Sequence, residues 1–200
     1  MVRLGILGGT FDPVHNGHLA LAEAVFRALQ LERVLFVPAG DPPHKRGRPL
    51  TASAHRVRMV ELAIAGRAAF ALSRADLDRP GPHYSVDMVA LVRREYHLAA
   101  DETFFIIGAD SLAALPTWHE PARLLSLCRL AVAHRPGYRP DLRRLSERLP
   151  ALPDRVAWIA MPGVPISGTE LRRRAARGES LAAWVPLPVA RYIEANGLYR

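Results

Sequence analysis

Residues 8–18 read Gly-Gly-Thr-Phe-Asp-Pro-Val-His-Asn-Gly-His and follow directly on the apolar run Leu4–Leu7. A short buried strand therefore runs into a glycine turn, with two histidines three apart where a helix begins. Gly8 and Gly9 allow the backbone to approach a ligand closely. The amides of the turn and of the helix N-terminus can face an anion. Thr10 adds a hydroxyl, and His15 and His18, once helical, share a face. A nucleotide phosphate suits this chemistry. Zinc is another use for paired histidines, but no third ligand of convincing spacing follows them. The plainest alternative is a capped helix with surface histidines.

A second segment, Pro165-Ile166-Ser167-Gly168-Thr169-Glu170-Leu171-Arg172, repeats the logic far along the chain. Ser167 reads as the N-cap of a helix running through Leu171 and Ala176. A helix N-terminus with a hydroxyl and an arginine one turn in is an anion site for the same electrostatic reasons that make it a good cap.

Four further places carry polar or aromatic side chains beside apolar runs. Lys45, in the proline-stiffened stretch Pro42-Pro43-His44-Lys45, is the only lysine among 27 basic residues. A compact ammonium is a point-charge phosphate binder, although the pair His44-Lys45 reads equally as solvated charge. Asp110, after Gly108, is either a ligand or a helix cap. Trp118-His119, after Pro116, is either a stacking surface or a core aromatic at a turn. Arg135, in His134-Arg135-Pro136-Gly137, faces a ligand or solvent.

These residues sit after strand-like apolar runs: Leu4–Leu7, Val34–Val37, Phe70–Leu72, Phe104–Ile107, Leu130–Ala133 and Val156–Ile159. Helical periodicity lies between most of them, with Leu19, Ala22, Val25, Phe26 and Leu29 on one face. Val57, Val60 and Ile64, then Val86, Val89 and Val92, mark two more. Continuous apolar strands alternating with helices predict an α/β fold, a Rossmann-like doubly wound parallel sheet with C-terminal helices. Ligands then sit at the carboxyl ends of the strands, so the loops after Leu7, Val37, Ile107 and Ile159 should line one crevice. Residues 135–153 read as a loop with a short surface helix. A capping helix begins near Pro186, with Val189, Tyr192 and Ile193 turned inward.

The chain of 200 residues is expected to form one domain over residues 1–200, being 50% hydrophobic and 23% charged. It has no run of eighteen apolar residues, and Val2–Leu7 is strand-length rather than a secretory leader, so a cytoplasmic protein without membrane contact is expected. The single Cys128 reads as a small core side chain. A formal charge of +8 raises the question of nucleic acid. The arginines are scattered, however, and no basic run exceeds Arg172–Arg174, so no nucleic-acid partner is expected. Nothing in the sequence speaks against a homo-oligomer.

Taken together, Gly8-Gly9-Thr10-Phe11-Asp12-Pro13-x-His15-x-Gly17-His18 and Ile166-Ser167-x-Thr169-x-x-Arg172 resemble the paired signatures of the nucleotidylyltransferase superfamily. Pro42–Lys45, the run Phe105–Asp110, Leu115–Pro121 and the ending Val185–Ile193 narrow the likeness. In that ordered set the chain resembles the bacterial nicotinate-nucleotide adenylyltransferases along nearly its whole length. The resemblance implies transfer of the adenylyl group of ATP, with Mg²⁺, to nicotinate mononucleotide, giving deamido-NAD and pyrophosphate. It implies His15, His18, Lys45 and Arg172 as catalytic residues. ATP would meet Gly8, Gly9, Thr10 and Phe11 through the backbone, His15 and His18, Gly108 and Asp110 at the ribose, Ile166 beside the adenine, and Ser167, Thr169 and Arg172. The nicotinate nucleotide would meet Lys45, Tyr84, Ser85, Trp118, His119 and Arg135. No metal-binding residues are implied.

Two segments depart from the family pattern. The family usually reads Ser-Tyr-Thr-x-Asp-Thr where this chain has His83-Tyr84-Ser85-Val86-Asp87-Met88, and usually has Ser where Gly168 stands.

Overall fold

A computed structural model of the chain describes residues 2–41, 50–134, 140–163 and 165–200. Each apolar run becomes a strand: β1 (Leu4–Gly9), β2 (Arg33–Pro38), β3 (Phe70–Leu72), β4 (Thr103–Gly108), β5 (Arg129–His134) and β6 (Val156–Ala160). They form a six-stranded sheet in the order β3-β2-β1-β4-β5-β6, parallel throughout. The connecting helices are α1 (Asn16–Ala28), α2 (Ser53–Ile64), α3 (Ser85–Glu95), α4 (Ala109–Ala114) and α5 (Pro121–Leu127). They continue as α6 (Leu142–Ser146), α7 (Leu152–Arg155), α8 (Gly168–Ala176) and α9 (Leu187–Ala195). The α/β expectation holds.

Side chains alternate along each strand, so each strand feeds two cores. Leu7, Phe36, Phe104 and Ile106 pack toward one face with Leu19, Ala22 and Val25 of α1, Met59 and Val60 of α2, and Val189 and Ile193 of α9. Ile6, Leu35, Phe105 and Ile107 pack toward the other with Val86, Val89 and Val92 of α3 and Leu124 and Leu125 of α5. Each such side chain stabilises the fold by about 1.5–3 kcal/mol through removal from water. Coverage on both faces explains why the strands carry no polar alternation.

Cys128 is fully buried in the second core, its Sγ donating to the Leu124 carbonyl at 3.4 Å. Burial pushes its thiol up to about 12, which keeps it protonated and inert.

One expectation needs amending. Among the described residues, the stretch expected to hold a single short surface helix holds both α6 and α7. Asp141 starts α6 by accepting from the amides of Arg143 and Arg144 through one oxygen. Proline at the start of α7 makes a second, separate initiation. No helix among the described residues is long and apolar enough to cross a membrane.

The strand order places a switch point between β1 and β4, from which the connections run in opposite directions. The register of β1 with β2 continues to Gly9 opposite Pro38. The register of β1 with β4 runs only from Leu4 opposite Thr103 to Ile6 opposite Phe105. The central strands therefore part at their carboxyl ends, below Gly8-Gly9 on one side and Gly108 on the other.

Candidate active site

The parting strands open a cleft of about 440 Å³, whose walls include His15, His18, Gly108, Asp110, His134 and Ile166. Five of these six were expected from the sequence. The chain reaches it through a tight turn after β1, where Phe11 takes the left-handed backbone conformation, φ 50°. That conformation costs a non-glycine residue on the order of 1 kcal/mol or more. Packing offsets it: the Phe11 ring is buried, 5.7 Å from the ring of Phe36 and edge-on to His18 at 5.0 Å. A side chain on Gly9 would bring a Cβ within 3.1 Å of the Phe11 ring. A larger residue at position 9 would press on this fold-back, and the Phe11 ring would have to give by a few tenths of an ångström.

The histidine pair meets differently from the sequence expectation. His15 is not in the first turn of α1 but is its N-cap, with extended backbone, φ −145° and ψ 169°. Its amide donates to His18 Nδ1 at 3.2 Å, and the His18 amide donates to the His15 carbonyl at 2.9 Å. The rings stack 3.7 Å apart at 21°. Because Nδ1 of His18 accepts a bond, the ring proton belongs on Nε2, a donor. Burial pulls His15 down to about 4, so its imidazole is neutral near pH 7. His15 Nδ1 is buried without a hydrogen-bond partner.

The second segment behaves as expected. Ser167 is the N-cap of α8, and its Oγ accepts from the Glu170 amide at 3.2 Å. Arg172 Nη1 then donates to the carbonyl oxygen of Asp12 at 2.6 Å, and Nη2 donates to Thr169 Oγ1 at 3.3 Å. The two anion-type segments are docked on each other through this contact. Gly168 permits it: a Cβ there would lie 3.0 Å from the Asp12 carbonyl. A serine at this position would crowd that carbonyl, which would have to give by a few tenths of an ångström.

Tyr84, Ser85, Trp118 and His119 gather where α3 begins and the 3₁₀ turn Leu115–Thr117 ends. The rings of Tyr84 and His119 stack at 3.9 Å and 23°. Trp118 is half-buried with its edge toward Phe105, ring centres 6.2 Å apart. This packing is that of an aromatic at the edge of the core, with part of its ring exposed. Asp110 lies within the first turn of α4, whose N-cap is Gly108. Lys45 and Arg135, with residues 42–49 and 135–139, lie outside the described residues. Among the described residues no group of three or more His, Cys, Asp or Glu side chains could hold a metal ion.

Sequence reasoning missed several residues. Arg56, only 2% exposed, donates to the carbonyls of Thr51, Thr10, Ala39 and Gly40 at 2.8–3.3 Å. It ties the loop after β1 to the loop after β2. Burial lowers its pKa, and the nearby Asp12 charge opposes that shift. A signal existed: Arg56 lies four residues before Val60, on the apolar face of α2. The Asp12 carboxylate, 4% exposed, accepts from the Thr51 amide at 3.3 Å and the Tyr199 hydroxyl at 2.7 Å. Asp76 accepts from the Gly40 amide at 3.0 Å and pairs with Arg79 at 2.6 Å. His134 enters the cleft from the end of β5, a strand end omitted from the expected crevice.

The family model described as cytidylyltransferase-like matches residues 6–174. A relative from Thermomicrobium roseum, named probable nicotinate-nucleotide adenylyltransferase, is 52% identical over 200 residues, covering 100% of this chain and 92% of that protein. A protein of the same name from Roseiflexus sp. is 46% identical, covering 98% of each. Among solved structures, the nicotinic acid mononucleotide adenylyltransferase of Plasmodium falciparum complexed with APC superposes with a TM-score of 0.78 at 17% identity, covering 100% of this chain and 98% of the other. At that identity the superposition speaks for the fold.

Proposed function

The chain belongs to the cytidylyltransferase-like family and, within it, to the nicotinate-nucleotide adenylyltransferases, and from that membership and the cleft we propose how it makes deamido-NAD. ATP, as its Mg²⁺ complex, and nicotinate mononucleotide bind across the parted ends of β1 and β4. The 5′-phosphate oxygen of the mononucleotide attacks the α-phosphorus in line. A new P–O bond forms, the bond to the bridging oxygen breaks, and pyrophosphate leaves. The nucleophile is already an anion, so no strong base is needed. Acceleration must come from positioning and from stabilising charge on the phosphate oxygens.

The observation that carries this reading is the docked pair of anion sites, the stacked histidines at the start of α1 and the start of α8, joined by Arg172 and Asp12. His18 donates from Nε2 to a phosphate oxygen, and neutral His15 does the same or takes a proton as charge builds. Arg172, Ser167, Thr169 and the turn Gly8–Phe11 hold the outer phosphates. Lys45 neutralises the polyphosphate. Gly108 and Asp110 meet the ribose, and Ile166 the adenine. Bound with ATP, Mg²⁺ would supply neutralising charge for the phosphates, with no protein ligand set assigned to it. Tyr84, Ser85, Trp118, His119 and Arg135 receive the nicotinate nucleotide. Residues 1–200 act as a single domain, in the cytoplasm.

The test is pyrophosphate release from Mg-ATP with nicotinate mononucleotide, nicotinamide mononucleotide and phosphopantetheine as separate acceptors, the products identified by mass. Preference for the nicotinate nucleotide is expected. Activity with only another acceptor would keep the phosphate chemistry and remove the base assignment. Folded protein that releases none would remove the function.

A further inference from the structure

The segment from Leu181 to Tyr199 brackets the loop after β1 at both ends. At one end the Asn16 amide donates to the Trp184 carbonyl at 2.9 Å, with the Arg174 guanidinium 5.3 Å above the Trp184 ring. At the other end the Tyr199 hydroxyl reaches Asp12 Oδ1 at 2.7 Å. Asp12 is the residue whose backbone carbonyl holds Arg172. Its second carboxylate oxygen is held by the Thr51 amide, so three separate parts of the chain converge on one buried residue.

Tyr199 itself takes the left-handed conformation, φ 69°, which a residue with a Cβ adopts only where its surroundings hold it. Burial and the Asp12 charge raise the Tyr199 phenol above its ordinary pKa, so it remains a donor across the working range. A buried carboxylate deprived of one donor must reorient or admit water, and the turn that carries the Asp12 carbonyl then keeps only the Thr51 tie to that side chain.

We propose that Tyr199 is a positioning residue for the phosphate site: its hydroxyl fixes Asp12, and Asp12 through its carbonyl fixes the guanidinium of Arg172. The inference rests on reading the cleft as the ATP site. Within that reading it assigns Tyr199 to the ATP half of the reaction and not to the mononucleotide half. Arg172 acts on phosphate as a planar fork, and such a fork is sensitive to small errors of orientation. Tyr199 touches no substrate.

The test is the Tyr199→Phe variant of the full chain, with Tyr192→Phe as its control. Tyr192 lies on α9 and shares a hydrogen bond with His55 Nδ1 at 2.8 Å, so its loss loosens the same segment without touching Asp12. In Tyr199→Phe the KM for ATP and the Kd for Mg-ATP by calorimetry are expected to rise roughly tenfold. The KM for nicotinate mononucleotide should stay within about twofold of the wild type, as should both constants in Tyr192→Phe. In an Arg172→Ala background, adding Tyr199→Phe should change ATP affinity no further.

The inference is overturned if Tyr199→Phe binds Mg-ATP as the wild type does, or if Tyr192→Phe weakens ATP equally. It is also overturned if the Tyr199 effect persists in full without Arg172. A wild-type chain that binds Mg-ATP but transfers nothing to nicotinate mononucleotide would remove the acceptor assignment alone, and the calorimetry would still decide the role of Tyr199.

Discussion

The two regions proposed for the phosphates and for the base are built on different principles. On the phosphate side the contacts are backbone amides and carbonyls held by buried charge: His15 to His18, Arg172 to Asp12, Arg56 to four carbonyls. On the side of Tyr84 and His119 the contacts are rings lying on rings, at an exposed histidine. Surface ion pairs, Arg123 with Glu120 at 2.6 Å and with Asp87 at 3.6 Å, join one inner tie there, from Arg79 to the Tyr84 carbonyl at 3.2 Å. Exposed pairs of this kind contribute about 0–1 kcal/mol. The difference accords with what each region is proposed to hold. Phosphate charge is stabilised by dipoles fixed before the reaction. A flat base is held by faces that can part and close again.

If that contrast is right, damage to the phosphate side should be large and damage to the ring side modest. His18→Ala removes a donor aimed at developing charge, and kcat/KM is expected to fall by about 10²–10³ or more. Circular dichroism should show the variant folded, since the lost cap costs only about 1 kcal/mol. Full activity would strip the histidine pair of its role.

Arg56→Met tests whether the frame of the phosphate side depends on one buried cation. It leaves several carbonyls without donors, and a loss of about 3 kcal/mol in urea unfolding is expected. A loss under about 0.5 kcal/mol would show the loops to be held by other means.

His15 should make the same half sensitive to acid. Its pKa lies near 4 when folded and near 6.5 when unfolded, so between those values the unfolded chain binds more protons. Stability from this group is full above pH 6.5 and declines as pH falls toward 4. About 2 kcal/mol should be lost between pH 7 and pH 5, and His15→Asn should flatten that slope. Titration of the imidazole by NMR would check the cause. Saturating Mg-ATP should raise the His15 pKa, because phosphate charge favours the imidazolium.

Trp118→Ala is the mildest of the four. The KM for the mononucleotide is expected to rise about tenfold with kcat changed little, as for loss of one stacking face. An unchanged KM would take Trp118 out of the base site, and a fall in kcat as deep as that of His18→Ala would erase the contrast between the halves.

The strands show how much was legible. Residues such as Val34–Val37 are apolar on both faces because both faces are covered, and that pattern is written locally. Ser167 as a cap was equally legible, since a cap bonds three residues ahead. His18 was legible as a candidate site residue but not in its geometry, because nothing in His-x-x-His says that the first histidine stops outside the helix. Arg56 stood in plain view on an apolar face, yet four carbonyl partners become visible only when the loops after β1 and β2 meet. Lys45 and Arg135 remain as the sequence and the family likeness left them.

By itself the sequence determined the α/β class, the order of its strands, and the types of residue at the candidate anion sites. All of these rest on periodicity and capping within a few neighbouring residues. Only the tertiary structure decided that Arg172 finds a carbonyl 160 residues away and Tyr199 a carboxylate 187 residues away. The same holds for the splaying of β1 from β4 into a cleft. Contacts at such separations are chosen by how whole faces pack, and no local pattern encodes which donor will meet which acceptor.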